Sequence, residues 1–169
     1  MSGNLCRCTG YRPIKDAAYA LTTPDANDPL ALRQSSSAPV VDRGEIRTGE
    51  ALFTRPQDLD DLAGRYAEAP DAVLLAGSTD VGVETNIRHT RPENVIAIDH
   101  LEELRSLRHA DDHVEIGAAL TLSEAERRLD GSVPLLAKLF PQFASRLIRN
   151  SATFGGNLGT GSVSYTHLR

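Results

Sequence analysis

Two cysteines near the N-terminus are the first residues whose type and spacing suggest chemistry. Cys6 and Cys8 are the only cysteines of the chain, and one residue separates them. Good disulfide geometry is rare at that spacing, which leaves metal binding, thiol reactivity or no role. Thiolates bind soft metals and iron–sulfur clusters, and a Cys-x-Cys turn can direct both sulfurs at one centre. A cluster takes four ligands and none of the 5 His lies close in sequence, so the pair alone indicates a coincidence or half a site.

Two segments of small residues are candidates for phosphate binding. The apolar run Ala72–Ala76 is followed by Gly-Ser-Thr-Asp at 77–80, a pattern that exposes backbone N–H groups and lets a phosphate approach the main chain. Many strands also end in small turn residues without binding anything. The Gly-Gly-Asn at 155–157 is weaker still, because paired glycines commonly mark a tight turn. Neither segment identifies a ligand by itself.

The remaining charged residues fit structural roles. The aspartates at 58, 60 and 61 predict a helix start that complements the macrodipole, and His109 and His113 flank a predicted hairpin turn, where we expect solvent exposure. The charges at 124–130 predict a solvated helix face. The sequence contains no evident Ser-His-Asp, Cys-His or paired-carboxylate constellation, so no acid–base or nucleophilic chemistry is predicted.

Composition indicates a globular chain of one domain or slightly more. It has 169 residues, 18 Lys and Arg against 23 Asp and Glu, and 40% hydrophobic residues, enough to bury about two thirds of its unfolded surface. A net charge of −5 without a basic block argues against a nucleic-acid partner. No apolar stretch approaches the roughly 20 residues that cross a bilayer, and no signal peptide is evident, so we expect a cytoplasmic protein.

Patterning predicts mixed helices and strands that would position these segments. Residues 22–49 are rich in Pro, Asp and Ser, lack apolar periodicity and are interpreted as a linker. The Thr121–Glu124 spacing predicts a capping box, and Pro141 should split an apolar helical stripe over 135–148. The other predicted elements are a short helix from Pro13, a helix capped by Asp58, a strand at 72–76 buried on both faces, a strand at 94–98 and a hairpin over 104–116.

The cysteine segment closely resembles that of a known family. Residues 4–14, Asn-Leu-Cys-Arg-Cys-Thr-Gly-Tyr-Arg-Pro-Ile, resemble the second cluster-binding segment of molybdenum hydroxylases, which include xanthine dehydrogenases and aldehyde oxidases. The resemblance implies that Cys6 and Cys8 are the third and fourth ligands of a [2Fe-2S] cluster in a helical domain. The first two ligands, a Cys-x-x-Cys, are not in this sequence, so we expect the chain alone to hold no cluster.

The small-residue segments resemble the two halves of the FAD site of the same family, in the same order and spacing. The implied fold is α+β, part of an FAD-binding domain of the vanillyl-alcohol oxidase and carbon monoxide dehydrogenase flavoprotein type. By position, 74–81 would wrap the pyrophosphate and 153–157 would contact the phosphates and ribityl chain. Phe143 aligns with an aromatic residue against the isoalloxazine ring, although helical periodicity alone favours a core role. The implied FAD-binding residues are Leu74, Leu75, Ala76, Gly77, Ser78, Thr79, Asp80, Val81, Phe143, Thr153, Phe154, Gly155, Gly156 and Asn157.

The resemblance also predicts the domain boundaries. Residues 1–23 would be the end of the helical [2Fe-2S] domain, 24–49 the linker, 50–162 the N-terminal part of the FAD-binding domain and 163–169 a tail outside the family. The family continues after Ser162 with a Pro and an Asp that reaches the flavin. We therefore expect a fragment truncated at both ends, without the second flavin subdomain and with uncovered apolar surface that favours aggregation.

The implied function is electron transfer. The chain would belong to the iron–sulfur and FAD subunit of a xanthine dehydrogenase of purine catabolism, a multi-cofactor oxidoreductase. A partner subunit carrying the molybdenum cofactor would hydroxylate the purine, and electrons would pass through [2Fe-2S] to FAD and NAD. Alternatives are a related hydroxylase acting on an aldehyde or N-heterocycle, a flavin-binding or partner-docking module without turnover, and an inactive fragment that does not fold stably.

Overall fold

The structure is a computed structural model that describes residues 11–37 and 44–161. Cys6 and Cys8 lie outside the described residues, so their role as cluster ligands stays a prediction; the same holds for the tail 163–169. The chain divides into two compact units, Met1–Asp42 and Arg43–Arg169. The division falls inside the segment that the sequence predicts to be a linker.

The described part of the first unit consists of two short helices. Helix α1, Arg12–Tyr19, carries a proline in its first turn, as the sequence predicts. Helix α2, Pro29–Ser35, lies inside the predicted linker. The carboxylate of Asp28 caps it by accepting hydrogen bonds from Leu30 N at 2.8 Å and Ala31 N at 3.0 Å. The linker prediction missed α2 because a cap and a first-turn proline, not apolar periodicity, begin this helix.

A four-stranded sheet organises the second unit. Its strands are β1, Glu45–Thr48, β2, Ala51–Thr54, β3, Val73–Leu75, and β4, Asn94–Ala97, in the order β1-β2-β4-β3. The first two strands are antiparallel, and β4 pairs in parallel with both β2 and β3. Helix α3, Leu59–Glu68, links β2 to β3, and helix α4, Val81–Ile87, links β3 to β4. Strand β1 begins before residue 50, the predicted start of the domain.

The sheet confirms the strand at 94–98 and corrects the burial predicted for 72–76. Strand β4 is central, and Ile96 and Ala97 are 3% and 2% exposed. Strand β3 is an edge strand and Leu74 is 43% exposed, so the prediction of burial on both faces is wrong. A continuous apolar run cannot distinguish a central strand from an edge strand whose outer face borders a cavity.

The rest of the unit packs a hairpin against short helices. Strands β5, Leu107–His109, and β6, Val114–Ile116, form the predicted antiparallel hairpin. Helices α5, Leu122–Leu129, α6, Pro134–Leu139, α7, Arg146–Arg149, and α8, Phe154–Thr160, follow. Their shared core consists of Leu120, Leu122, Ala125, Leu129, Phe140 and Ala152.

Local signals at α5 and α6 are confirmed, whereas the apolar stripe is not. Thr121 and Glu124 form the predicted capping box, and a 3₁₀ turn containing Pro141 separates α6 from α7. The stripe predicted over 135–148 does not form one buried face, because Phe140 is 3% exposed but Leu135 is 75% and Leu147 48% exposed. No helix within 11–37 and 44–161 is long and apolar enough to cross a membrane.

Candidate functional site

The two small-residue segments meet at one cavity of about 580 Å³. The cavity lies where β3 and β4 end, the edge at which parallel sheets commonly bind ligands. Every residue from Leu74 to Val81 lines it, together with Thr153, Gly155, Gly156 and Asn157 from the second segment. Tertiary structure therefore brings together segments that are more than 70 residues apart in the sequence.

The first loop, residues 74–81, is anchored at both of its ends. Ile98 N donates to Leu75 O at 2.8 Å and fixes the end of β3, while Gly82 N donates to Ser78 O at 2.8 Å as α4 begins. Ser78 has a φ of 58° in the left-handed region, a conformation that costs a residue with a Cβ free energy. The loop thus turns sharply from the strand into the helix, with small side chains facing the cavity.

The second loop is the start of α8 and not the tight turn that paired glycines suggested. Thr153 caps the helix, because its Oγ1 accepts a hydrogen bond from Gly156 N at 3.0 Å. The residue before it, Ala152, is 2% exposed and accepts a hydrogen bond from Leu122 N at 2.9 Å. Thr121 and Thr153 also form an isolated antiparallel bridge. The start of α5 therefore holds the second loop.

Glycine is required where each loop packs against a neighbouring segment. A Cβ at Gly77 would lie 1.8 Å from the Ser151 carbonyl oxygen, and a Cβ at Gly155 would lie 2.7 Å from Ala118 Cβ. Gly155 N donates to Ala118 O at 3.0 Å. Both glycines therefore permit a backbone-to-backbone approach that no side chain allows.

The cavity is nearly free of side-chain charge. Among the described residues that line it, Asp80 is the only charged one, and its carboxylate accepts a hydrogen bond from Thr160 Oγ1 at 3.1 Å. No lysine or arginine is among the described lining residues, so an anionic group here would meet no cationic side chain. No cluster of three or more His, Cys, Asp or Glu suited to a metal occurs in the part of the chain that the structure describes.

Two predicted cofactor-binding residues do not line this cavity. Phe143 packs against the core cluster, as does Phe154, whose ring lies edge-on to Phe140 with 6.4 Å between centroids. Their roles toward a cofactor stay predictions. Sequence reasoning missed seven lining residues, which are Tyr66, Ala72, Val73, Ile98, Ala118, Gly159 and Thr160. Thr160 stands in the same Gly-rich stretch as the predicted residues, whereas nothing in the pattern around Tyr66 or Ala118 distinguishes them.

The charged face predicted at 124–130 is partly structural. The carboxylate of Glu124 accepts from Thr121 N at 3.2 Å and Thr121 Oγ1 at 2.8 Å and pairs with Arg105. Burial raises the pKa of Glu124, but the hydrogen bonds from Thr121 and the nearby arginine charge outweigh it, so the pKa of Glu124 is lowered. At the exposed hairpin, a hydrogen bond to Asp112 raises the pKa of His113.

Similarity to known proteins agrees with this geometry. The sequence profile described as "FAD binding domain in molybdopterin dehydrogenase" matches residues 45–165. The chain is 26% identical to xanthine dehydrogenase of Calliphora vicina over 215 aligned residues, 95% of this chain and 16% of that protein. It is 37% identical to the nicotinate dehydrogenase FAD-subunit of Eubacterium barkeri over 117 residues, 66% of this chain and 39% of that protein.

Solved structures of the same family share the fold. A carbon monoxide dehydrogenase from Hydrogenophaga pseudoflava matches with a TM-score of 0.60 and 27% identity, over 65% of this chain and 39% of that chain. The chain spans between about one sixth and two fifths of the length of these relatives. The profile match covers most of the chain, including both loops of the cavity. The chain belongs to the family of FAD-binding domains of molybdopterin dehydrogenases.

Proposed function

We propose that this chain supplies the pyrophosphate-binding half of the FAD site in the electron-transfer part of a xanthine dehydrogenase-type molybdenum hydroxylase. The observation that carries the proposal is that both loops line one cavity, with Gly77 of the first loop packed against Ser151, two residues before the second loop. In this proposal 74–81 wrap the pyrophosphate, 153–157 contact the phosphates and ribityl chain, and Phe143 lies against the isoalloxazine ring. FAD, when bound, takes up and passes on electrons.

The residues present fit such a cofactor. The cavity volume of about 580 Å³ lies within the roughly 300–1,000 Å³ that is usual for small-molecule sites. Gly77 and Gly155 have no room for a Cβ because Ser151 and Ala118 lie against them, and this close packing holds the walls of the cavity together. The chain's own residues would bind and orient the cofactor, and no proton-transfer pair lines the described cavity.

Similarity to the relatives supports a wider role for the intact enzyme, which is part of the same proposal. Cys6 and Cys8 would be two of the four ligands of a [2Fe-2S] cluster. The chain would relay electrons between a partner subunit carrying the molybdenum cofactor and NAD in the cytoplasm, within purine catabolism. The proposed helical [2Fe-2S] domain would end at residue 23, with a linker between it and the FAD-binding domain.

A second candidate substrate is an N-heterocycle other than a purine. The 37% identity to a nicotinate dehydrogenase FAD-subunit favours this second candidate. The 26% identity to xanthine dehydrogenase favours the first, because it extends over nearly all of this chain. The substrate pocket would belong to the molybdenum-cofactor subunit. Comparing turnover of xanthine and nicotinate by the intact parent enzyme distinguishes the two candidates.

Cofactor titration tests the flavin proposal. We expect the purified chain to bind FAD and quench its fluorescence, and ADP to compete because it carries the same pyrophosphate. Riboflavin, which lacks the pyrophosphate, should compete poorly. Equal competition by riboflavin, or no binding of FAD, would contradict the proposal.

Iron reconstitution tests the cysteine proposal separately. The chain and a version extended by an upstream Cys-x-x-Cys segment are reconstituted anaerobically with iron and sulfide. We expect the [2Fe-2S] absorption in the extended version alone, and its loss in a Cys6→Ala, Cys8→Ala variant. Equal cluster content in the chain and the extended version would argue against a half-site.

A further inference from the structure

An arginine outside the cavity holds the turn that carries Phe143. Arg149, the last residue of α7, donates from Nη1 to Phe143 O at 2.7 Å and to Ala144 O at 2.9 Å. Its side chain is 11% exposed. A single guanidinium group thus binds two successive carbonyl groups, and hydrogen bonds from a charged donor are stronger than neutral ones.

The turn has a conformation that needs external support. Ala144 has a φ of 49°, in the left-handed region where the Cβ of an L-residue crowds the following carbonyl group. Glycine adopts this region freely, but alanine does not. Arg149 binds the carbonyl groups on both sides of this strained position. These hydrogen bonds offset the strain and keep the turn in one conformation.

The same arginine links the turn to the helix that supports the second loop. Arg149 Nε lies 3.9 Å from Glu126 Oε2 on α5. The start of α5 holds the residues before the loop, through Leu122 N to Ala152 O at 2.9 Å and Ser123 Oγ to Asn150 Oδ1 at 2.7 Å. Helix α5 therefore holds the segment before the second loop by hydrogen bonds and lies at ion-pair distance from the arginine that binds the Phe143 turn.

We propose that Arg149 is a positioning residue of the flavin site. It fixes the Phe143–Ala144 turn and through it the orientation of the Phe143 ring relative to the isoalloxazine of FAD. The assignment rests on the proposed function, in which Phe143 faces that ring. It predicts that Arg149 affects the flavin end of the cofactor more than the ADP end, which the loops at 74–81 and 153–157 would bind.

Substitutions of the hydrogen-bond donor, Arg149, and of the turn residue, Ala144, test the assignment. Arg149→Met removes the donor and keeps an apolar stem, and we expect FAD affinity to fall about tenfold, a usual effect of losing charged hydrogen bonds. The fluorescence quenching and absorption shift of bound FAD should weaken, while ADP affinity stays within about threefold. Ala144→Gly added to Arg149→Met should restore the spectrum, because glycine needs no support at this φ.

Arg146→Met is the matched control on the same helix. Arg146 Nη1 lies 3.6 Å from the same Glu126 carboxylate and its side chain is 63% exposed. It makes no hydrogen bond to either turn carbonyl group in the described structure, so this variant should keep the FAD spectrum of the unmodified chain. An equal loss in both arginine variants, or failure of Ala144→Gly to restore the spectrum, would overturn the assignment.

Unfolding in urea tests the assignment independently of the cofactor. If the unmodified chain binds no FAD, the proposed function fails, but the interaction between positions 149 and 144 is still measurable. We expect Arg149→Met to lower the urea midpoint, and to lower it less when Ala144→Gly is present. Arg149→Lys, which keeps a donor, should give an intermediate midpoint. If Arg149→Met lowered the urea midpoint equally with Ala144 and with Gly at position 144, the role of Arg149 in the turn would be overturned.

Discussion

Alanine at position 77 should separate the first loop from Ser151, and with it from the second loop that begins two residues later. The new Cβ would lie 1.8 Å from the Ser151 carbonyl oxygen and 2.5 Å from its carbonyl carbon, whereas ordinary contact begins at 3.4 Å. Both opposing atoms are backbone, so no side chain can rotate away. The loops must move apart by the difference between 1.8 and 3.4 Å, about 1.6 Å.

The displacement sets the size of the effect. Overpacking in a close-packed region typically costs about 1–3 kcal/mol, so the free energy of unfolding should fall by that amount. The loops would bind FAD only after returning to their original separation, so the same free energy is lost from FAD binding. Because about 1.4 kcal/mol corresponds to a factor of ten in affinity, we expect FAD affinity to fall between about five- and 150-fold. ADP and FAD should lose affinity together because, in the proposed site, the displaced loops bind the pyrophosphate that both carry.

Fluorescence titration with FAD and urea unfolding measure the two quantities. Gly82→Ala is the matched control, since it lies in the first turn of α4 and a Cβ there meets nothing closer than Ser78 Oγ at 3.8 Å. Alanine in a helix stabilises it by roughly 0.5–1 kcal/mol relative to glycine. The reasoning would be refuted if the Gly77→Ala variant kept the stability and FAD affinity of the unmodified chain.

Three further predictions concern the same unit. Gly155→Ala places a Cβ 2.7 Å from Ala118 Cβ and 2.8 Å from Ala118 O, so FAD titration should show weakened binding that Ala118→Gly restores only in part; full rescue would contradict the backbone contact. Because Asp80 is the only charged side chain among the described lining residues, the FAD dissociation constant should change less than about threefold between 0.05 and 0.5 M NaCl, and a steep dependence would indicate a cationic phosphate ligand. The pKa of Glu124 is lowered from 4.5 in the folded chain, so its stabilisation is complete above that value and is lost as pH falls through the lower folded pKa. Glu124→Gln should therefore flatten the decline in urea midpoint below about pH 4.5, and an unchanged decline would argue against the capping box as its source.

Local signals in the sequence determined many of the elements. Asp58 before Leu59 and Thr121 before Leu122 begin helices because their side chains accept hydrogen bonds from Asp61 N and Glu124 N. Pro141 separates two helices because it cannot donate a backbone hydrogen bond. These features depend on residues within four positions of one another, which is why they can be read without the fold.

Strand pairing limited the prediction of the rest of the fold. Strand β1 pairs with β2 across a turn at Gly49, whose φ is 61°, yet Glu45–Thr48 has little apolar alternation. Its four residues are all exposed, so hydrogen bonds to a neighbouring strand define it. The edge position of β3 likewise depends on the order of strands, which no local pattern specifies.

The sequence by itself determined which residues form the two loops, their resemblance to a flavin family and the capped helices beside them. Only the tertiary structure decided that Gly77 lies against Ser151, that β3 leaves Leu74 exposed at the cavity, and that Arg149 holds the Phe143 turn. The physical reason is the range of the interactions. Caps and turns are satisfied by near neighbours, whereas a backbone contact between residues 74 positions apart exists only after the sheet and α5 have brought the two segments together.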